Sequence, residues 1–456
     1  MNGVSSIEVY GYAPAPAPPT YSVTLAEGTE DGDKWTISPA EAAEGDKVTV
    51  TYSGEKKVKS VKAVKKAVVT DLSMVDCAGK ARTSMSTANC YMVHTAGAYK
   101  LPLVYGNAIK DGAANSTAWT GVAGNNTTAT FPNHAGTAIN APWITKATTG
   151  EGVAKGMGIT VASAELLWQD AEGLVTAVAI NGDYLTLTVG KDATTQQGNA
   201  LVAAKDADGK IVWSWHIWVT TETFATLTTV STGSHNYSVT PVNLGWVPTG
   251  GEGKQGYNTY YQWGRKDPFK AQGAPAELTV YDIDDKAITG MIYTASTDAT
   301  IADNIKNPTK FYYNNSNIGP CYTTYYNMWD AQQTTDAGNI ITATVKTVYD
   351  PCPAGFCVPT GNLYYYIKNG GVSFGWDGTN KGRNLASFTP NVFFPALGLR
   401  DSNSGALNFV GASGFYWSAS PKSDKLGYYL DINSSNCGFY TTQRANGFSI
   451  RAVAEE

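Results

Sequence analysis

Leu201-Val202-Ala203-Ala204-Lys205-Asp206-Ala207-Asp208-Gly209-Lys210-Ile211-Val212-Trp213-Ser214-Trp215-His216-Ile217-Trp218 sets two apolar runs on either side of a short polar turn. Asp-Gly supplies the positive φ values that a tight hairpin turn demands, so the stretch predicts two antiparallel strands. Along the second strand Trp213, Trp215 and Ile217 share one face and Ser214, His216 and Trp218 the other. Runs at Tyr91–Val93, Tyr99–Leu101, Glu165–Trp168 and Leu185–Val189 continue the pattern. Together they predict a β-sandwich over residues 68–238. His216 reads as a hydrogen-bonded structural histidine, because His94, His134 and His235 are scattered and none stands at metal-ligand spacing from it.

Composition narrows the function classes. The chain has 456 residues, and its Lys+Arg 33 and Asp+Glu 38 give a net charge of −5, so no general basic field exists to hold nucleic acid. Charged residues make up 16% against Gly 47, Tyr 27 and Trp 12, a turn-rich and β-rich balance. No apolar run reaches the ~18 residues of a membrane helix. A membrane is therefore expected only through a lipid anchor not present in this chain. The opening MNGVSSIEVYGYA has neither a basic n-region nor an apolar h-region, so the signal segment is expected to be absent and Met1 to start a fragment.

The pattern divides the chain into four parts. Residues 1–20 hold a leading strand, Val4–Tyr12, and the linker APAPAPPT at Ala13–Thr20, whose prolines favour extended geometry. Residues 21–67 read as a small β module ending in a Lys-rich strand, a solvated edge that resists further pairing or a contact for an anionic neighbour. Residues 68–238 are the sandwich. Residues 239–456 are richest in aromatics and Gly, with one helix predicted from Gly361 to Lys368, capped by Thr360 and stopped by Gly370-Gly371.

Six ordered blocks carry a resemblance: NLG at Asn243–Gly245, YYQWGRKDPF at Tyr260–Phe269, YDPCPAGFCVPT at Tyr349–Thr360, FPALGLRD at Phe394–Asp401, GFYWSASP at Gly414–Pro421 and GFSIRAV at Gly447–Val453. Residues 239–456 resemble the FISUMP, or major paralogous, domain. TANCYMV at Thr87–Val93 and the Gly198–Trp218 hairpin resemble the β module preceding that domain in fimbrillin-type tip proteins of gut Bacteroidales, and the Lys-rich module resembles a repeat of the same proteins. The resemblance implies tandem β modules followed by an α+β, C-type-lectin-like domain, mainly β throughout. It implies a secreted, lipid-anchored protein of the cell surface, outer membrane or pilus tip, an adhesin. Where the family commonly has Arg this chain has Cys357, and Cys352 and Cys357 become a candidate disulfide across a loop containing Pro353 and Gly355.

Catalytic chemistry finds no support. H-E-x-x-H, P-loop and G-x-S-x-G patterns are missing, and the cysteines do not resemble a formylglycine-generating site, so the chain is read as non-enzymatic with no cofactor. Asp282-Ile283-Asp284-Asp285 fails the EF-hand template at Ala287 and Tyr293, and neither Glu-Pro-Asn nor Trp-Asn-Asp occurs, so no metal is expected. Aromatic loops are the ligand signal. Flat rings stack on sugar C–H faces while Asn and Asp fix hydroxyls, which nominates Trp329, Trp376, Asp377, Tyr325, Tyr326 and Asn380. The alternative is that these rings form the loops' own small core. Arg265, Lys266, Arg444 and Arg451 read as partners of buried carboxylates such as Asp350 or Asp267. The expected partner is a host or microbial glycan or protein; a structural subunit assembling with other pilins is the runner-up.

Overall fold

The computed structural model describes residues 20–25, 35–38, 41–43, 49–53, 61–65 and 69–456, the last range without 125–126, 233–234, 250–254, 271, 274–275, 278, 289–292, 296–298, 314–324, 337–342, 372–373, 386–389 and 424. The leading strand, nearly all of the proline linker, and Cys321 and Tyr322 lie outside the described residues. The protein is mainly β. It divides into two compact units, Met1–Val69 and Thr70–Glu456. In the first, Thr20–Leu25 pairs with both Glu41–Ala43 and Val61–Lys65, and Trp35–Ser38 pairs with Thr49–Tyr52. The lysine-bearing Val61–Lys65 strand lies at the edge of its sheet.

In the second unit the hairpin forms as its turn chemistry requires. Gly198–Lys205 pairs antiparallel with Ile211–Val219, and the turn closes through Asp206, whose carboxylate accepts the Asp208 and Lys210 amides at 3.0 and 2.8 Å. Cys90–Val93 adds in parallel beside Ile211–Val219, and Ser163–Gln169 pairs on the other side. A second sheet runs Val175–Asn181, Tyr184–Val189, Gly97–Pro102, Val69–Asp71. His216 is buried and hydrogen-bonded, its Nε2 2.8 Å from Asn199 Oδ1 and its Nδ1 3.3 Å from the Tyr261 hydroxyl. Burial drives its pKa down to about 3, so the imidazole is neutral.

The expected domain boundary at residue 238 is corrected. The first sheet takes its outer two strands, Val280–Tyr281 and Ala287–Ile288, from beyond it. One hydrophobic core contains Leu101, Val202 and Trp215 together with Trp263, Trp329, Trp417 and Phe448. Trp213 stacks on Tyr349 at 6.0 Å, and Lys266 Nζ stands 4.5 Å above the same indole. Period-2 alternation marks which face of a strand is buried and is silent about what covers it. Here the cover of the hairpin comes from the C-terminal half.

That half is built on a seven-stranded sheet whose main part runs Leu397–Arg400, Ser413–Pro421, Leu426–Asn433, Cys437–Gln443, with Leu407–Val410 paired to Leu397–Arg400. A four-stranded sheet inserts Val453–Ala454 between Asn236–Val239 and Phe356–Cys357. The predicted helix runs Gly361–Tyr366 and widens into a π turn over Ile367–Gly371. Thr360 sits at its N-cap position, but the Thr360 hydroxyl pairs with Tyr237 instead of capping an amide. A second helix, Ile301–Lys306, has a capping box between Thr300 and Asp303 that the T-x-x-D spacing announces.

Because the core crosses residue 238, residues 239–456 expressed alone are expected not to unfold cooperatively, whereas 70–456 gives one transition. A sharp, reversible melt of the isolated segment would refute the shared core. A second expectation concerns Asp170, which is half-buried and accepts the Asn199 amide and side chain at 2.6 and 2.8 Å. Burial raises its pKa from 3.8 to about 7. A raised carboxyl pKa contributes stability below the unfolded value near ~4 that is lost as pH rises through about 7. The stability of the wild type relative to Asp170→Asn should therefore fall, on the order of 2–4 kcal/mol, from pH 4 to pH 8. Parallel denaturation curves would refute it.

Candidate functional site

The nominated residues fall into two groups. Tyr325, Tyr326 and Trp329 lie along the core. Trp329 is fully buried, its Nε1 donates to the Arg265 carbonyl at 3.2 Å, and its ring meets Trp263 at 5.5 Å. The nomination of Trp329 as a ligand contact is corrected: this loop lacks regular structure and uses its indole as core. Tyr325 and Tyr326 are half-buried; Arg444 donates to the Tyr325 carbonyl at 2.6 Å and lies 5.8 Å from the Tyr326 ring.

Trp376, Asp377 and Asn380 stay together on a hairpin. Phe374–Asp377 pairs with Gly382–Leu385, which gives the half-buried Trp376 the sheet support its flanking glycines did not suggest. Asp377 Oδ1 accepts the Thr379 and Asn380 amides at 3.1 and 3.0 Å, and Oδ2 accepts the Asn380 side chain at 2.8 Å. Both polar groups thus shape the turn.

Cys352 and Cys357 are free and buried. Cys352 belongs to the main core and Cys357 to a second cluster with Val239, Leu363 and Tyr364. The loop between them is closed by Asp350 instead, whose carboxylate accepts the Cys352 amide at 2.8 Å and the Val358 amide at 3.0 Å. The candidate disulfide is corrected accordingly. Lys346 pairs with Asp350 at 3.9 Å and Glu455 at 3.3 Å, all buried or nearly so. The arginines expected to meet carboxylates mostly grip backbone: Arg444 reaches carbonyls of Tyr325 and Ser423, and Arg451 those of Thr240, Pro241 and Phe393. Asp282 Oδ1 accepts the Asp284 and Lys286 amides, so that acidic run forms a hairpin turn.

A different surface gathers the features of a ligand platform. Phe415 on Ser413–Pro421 stands opposite Asp431 on Leu426–Asn433, and Tyr429 stands opposite Tyr440 on Cys437–Gln443. Alternation puts all four on one face. Centroids run Phe409–Phe415 6.0 Å, Phe415–Tyr429 6.0 Å and Tyr429–Tyr440 6.3 Å, a row exposed only at its ends, 58% at Phe409 and 46% at Tyr440, with Phe415 buried and Phe448 packed on Phe415 and Tyr429. Phe409 has φ 63°, a left-handed conformation costing a bulky residue about 1–3 kcal/mol. Gly438 faces Asp431, and a Cβ there would lie 2.0 Å from Tyr440 Cε2, so only glycine lets that ring fold back toward the carboxylate. Asp431 is half-buried and its Oδ1 lacks a hydrogen-bond partner. Burial raises its pKa, opposed by a bond from Asn433. Burial, and then the neighbouring Asp431 charge, pushes the Tyr429 phenol up to about 12.

Sequence reasoning passed over this face because aromatics alternating along strands read as core, which Phe415 and, two residues on along the same face, Trp417 are. The available signal was Asp431, an acid at an inward-patterned position between aromatic strands. No family model, curated protein or solved structure matches the chain.

Trp329→Ala is expected to cost ~3–5 kcal/mol, whereas Tyr440→Ala stays within ~1 kcal/mol. Urea denaturation of both variants checks this; comparable losses would contradict the division into core and platform.

Proposed function

We propose that this chain is a non-enzymatic, exported surface protein, an adhesin of the FISUMP type that binds glycan at the exposed Phe409 and Tyr440 ends of its C-terminal sheet. The observation that carries the reading is the row Phe409–Phe415–Tyr429–Tyr440 with Asp431 beside it. The exposed rings at its two ends, Phe409 and Tyr440, offer flat faces to sugar C–H surfaces, while the buried Phe415 and half-buried Tyr429 between them supply a packed base. The backbone strain at Phe409 supports the same reading, since glycine would hold that turn at lower cost and without a ring. Sheet strands give the rings a rigid base, which limits the ordering cost of binding.

A structural-subunit reading has one observation in its favour. Val175–Asn181, Val-Thr-Ala-Val-Ala-Ile-Asn, is a sheet edge with neither charge nor proline, the kind of edge that accepts a strand from another chain.

The test is a glycan and mucin-component array probed with the whole chain and with Phe409→Ala and Tyr440→Ala. Binding that falls at least about tenfold in both variants, with unchanged melting temperature, is the expected result. Concentration-dependent polymers with no glycan signal would favour the subunit reading. Phe409→Gly should leave stability unchanged or raise it by up to about 1 kcal/mol while removing binding.

A further inference from the structure

A cavity of about 280 Å³ opens between the Arg82–Thr87 segment, the hairpin of Ile109–Lys110 with Ala113–Ala114, and the chain at Lys346 and Gly355. Its walls are fixed: Asn107 donates to the carbonyls of Thr347 and Asp350 at 2.6 and 3.2 Å, and the Thr87 hydroxyl exchanges bonds with the Ile109 backbone at 3.0 and 3.3 Å. Its rim is exposed at Lys110 and Asp111. Most of the charges lining it are matched. Glu455 joins Lys110 at 2.5 Å to Lys346 at 3.3 Å, and Glu456 pairs with His235.

Arg82 and Asp111 are the two left over. Arg82 is half-buried and directs Nε and Nη2 to the carbonyls of Val75 and Ala354 at 3.1 and 3.3 Å, while Nη1 makes no bond and is not sealed from solvent. Asp76, close by in sequence, turns its Oδ1 to the Ala78 and Lys80 amides instead. Asp111 has Oδ1 tied to the Ser86 hydroxyl at 3.3 Å, and its Oδ2 is free at the exposed rim. Among the described residues these two pair neither with each other nor with another charged side chain. An unmatched guanidinium and an unmatched carboxylate on one cavity are compensated together by a ligand that carries both charges. A neutral ligand compensates neither, and a simple ion leaves one of them facing like charge.

We propose that this cavity takes a small zwitterion, a free α-amino acid, its carboxylate on Arg82 Nη1 and its ammonium on Asp111 Oδ2. The remaining wall is polar at Ser86, Thr87 and Asn115, which suits a short polar side chain. Neither Phe409 nor Tyr440 lines the cavity, so this site stands apart from the glycan reading.

The experiment screens the whole chain against the standard L-amino acids, each at about 10 mM, for a rise in melting temperature, and titrates by calorimetry any that gives one. The expected result is a rise with at least one polar amino acid, with affinity reduced at least about tenfold when its α-amine is acetylated or its carboxyl amidated, and as much in Asp111→Asn and Arg82→Gln. Asn tolerates the left-handed φ of 51° that Asp111 holds, so Asp111→Asn tests the ammonium contact in an intact fold even where Arg82→Gln, which also gives up the Val75 and Ala354 bonds, lowers the melting temperature. A screen with no rise, equal binding of the acetylated or amidated form, or binding that Asp111→Asn leaves unchanged overturns the proposal. Phe409→Ala and Tyr440→Ala should keep the affinity within about twofold; a tenfold loss in either overturns the assignment to this cavity.

Discussion

One carboxamide joins the halves of the large unit. Asn89 donates to the carbonyls of Val348 and Asp350 at 2.7 and 2.8 Å and accepts from Trp213 Nε1 at 3.1 Å. All of this is buried, where an unpaired amide or indole would cost about 1–3 kcal/mol per group. Gly106 lies so close that a Cβ would stand 2.1 Å from Asn89 Oδ1, which leaves the side chain no other place. The central tryptophan hairpin and the Tyr349–Cys352 segment are therefore held in fixed relation. Around that contact the Trp213–Tyr349 stack and the Ser214–Asp267 bond at 2.6 Å follow.

Buried guanidinium groups do for the loops what Asn89 does for the sheets. Arg265, Arg400, Arg444 and Arg451 are nearly or fully inaccessible. Arg265 reaches the Lys310 and Asn307 carbonyls, and Arg400 those of Gly405 and Lys270. Loops leave many backbone acceptors without ladder partners, and a fork of five donors satisfies several at once. Long irregular segments become fixed scaffold in this way, and the sheet behind the aromatic row inherits their rigidity.

Local chemistry was legible in the sequence and long-range partnership was not. The Asp206–Gly209 turn, the strands on either side and the structural role of His216 follow from the local pattern. The helix start at Gly361 does too, although its Thr360 hydroxyl was claimed by Tyr237, more than a hundred positions away. The boundary at 238 failed because alternation in Trp213–Ile217 declares a buried face without naming Tyr349 as its cover. Trp329 and Tyr440 make the same point about sites: a ring in a loop turned inward, and a ring in a strand stayed out. The Tyr440 ring lies over Gly438, where a Cβ would clash with it, and a single glycine has no period to detect.

The order of the chain then governs when the large unit can assemble. Val453 fills the slot between Val239 and Cys357, and Ile450 and Ala452 complete the core that Leu72 begins. Contacts spanning nearly the whole unit must form before the first sheet is covered, which makes closure slow and late. The large unit stays open until the Val453–Ala454 strand is available. Until that closure the apolar Trp213–Trp218 strand lacks its cover and is the segment most open to chaperones or to aggregation.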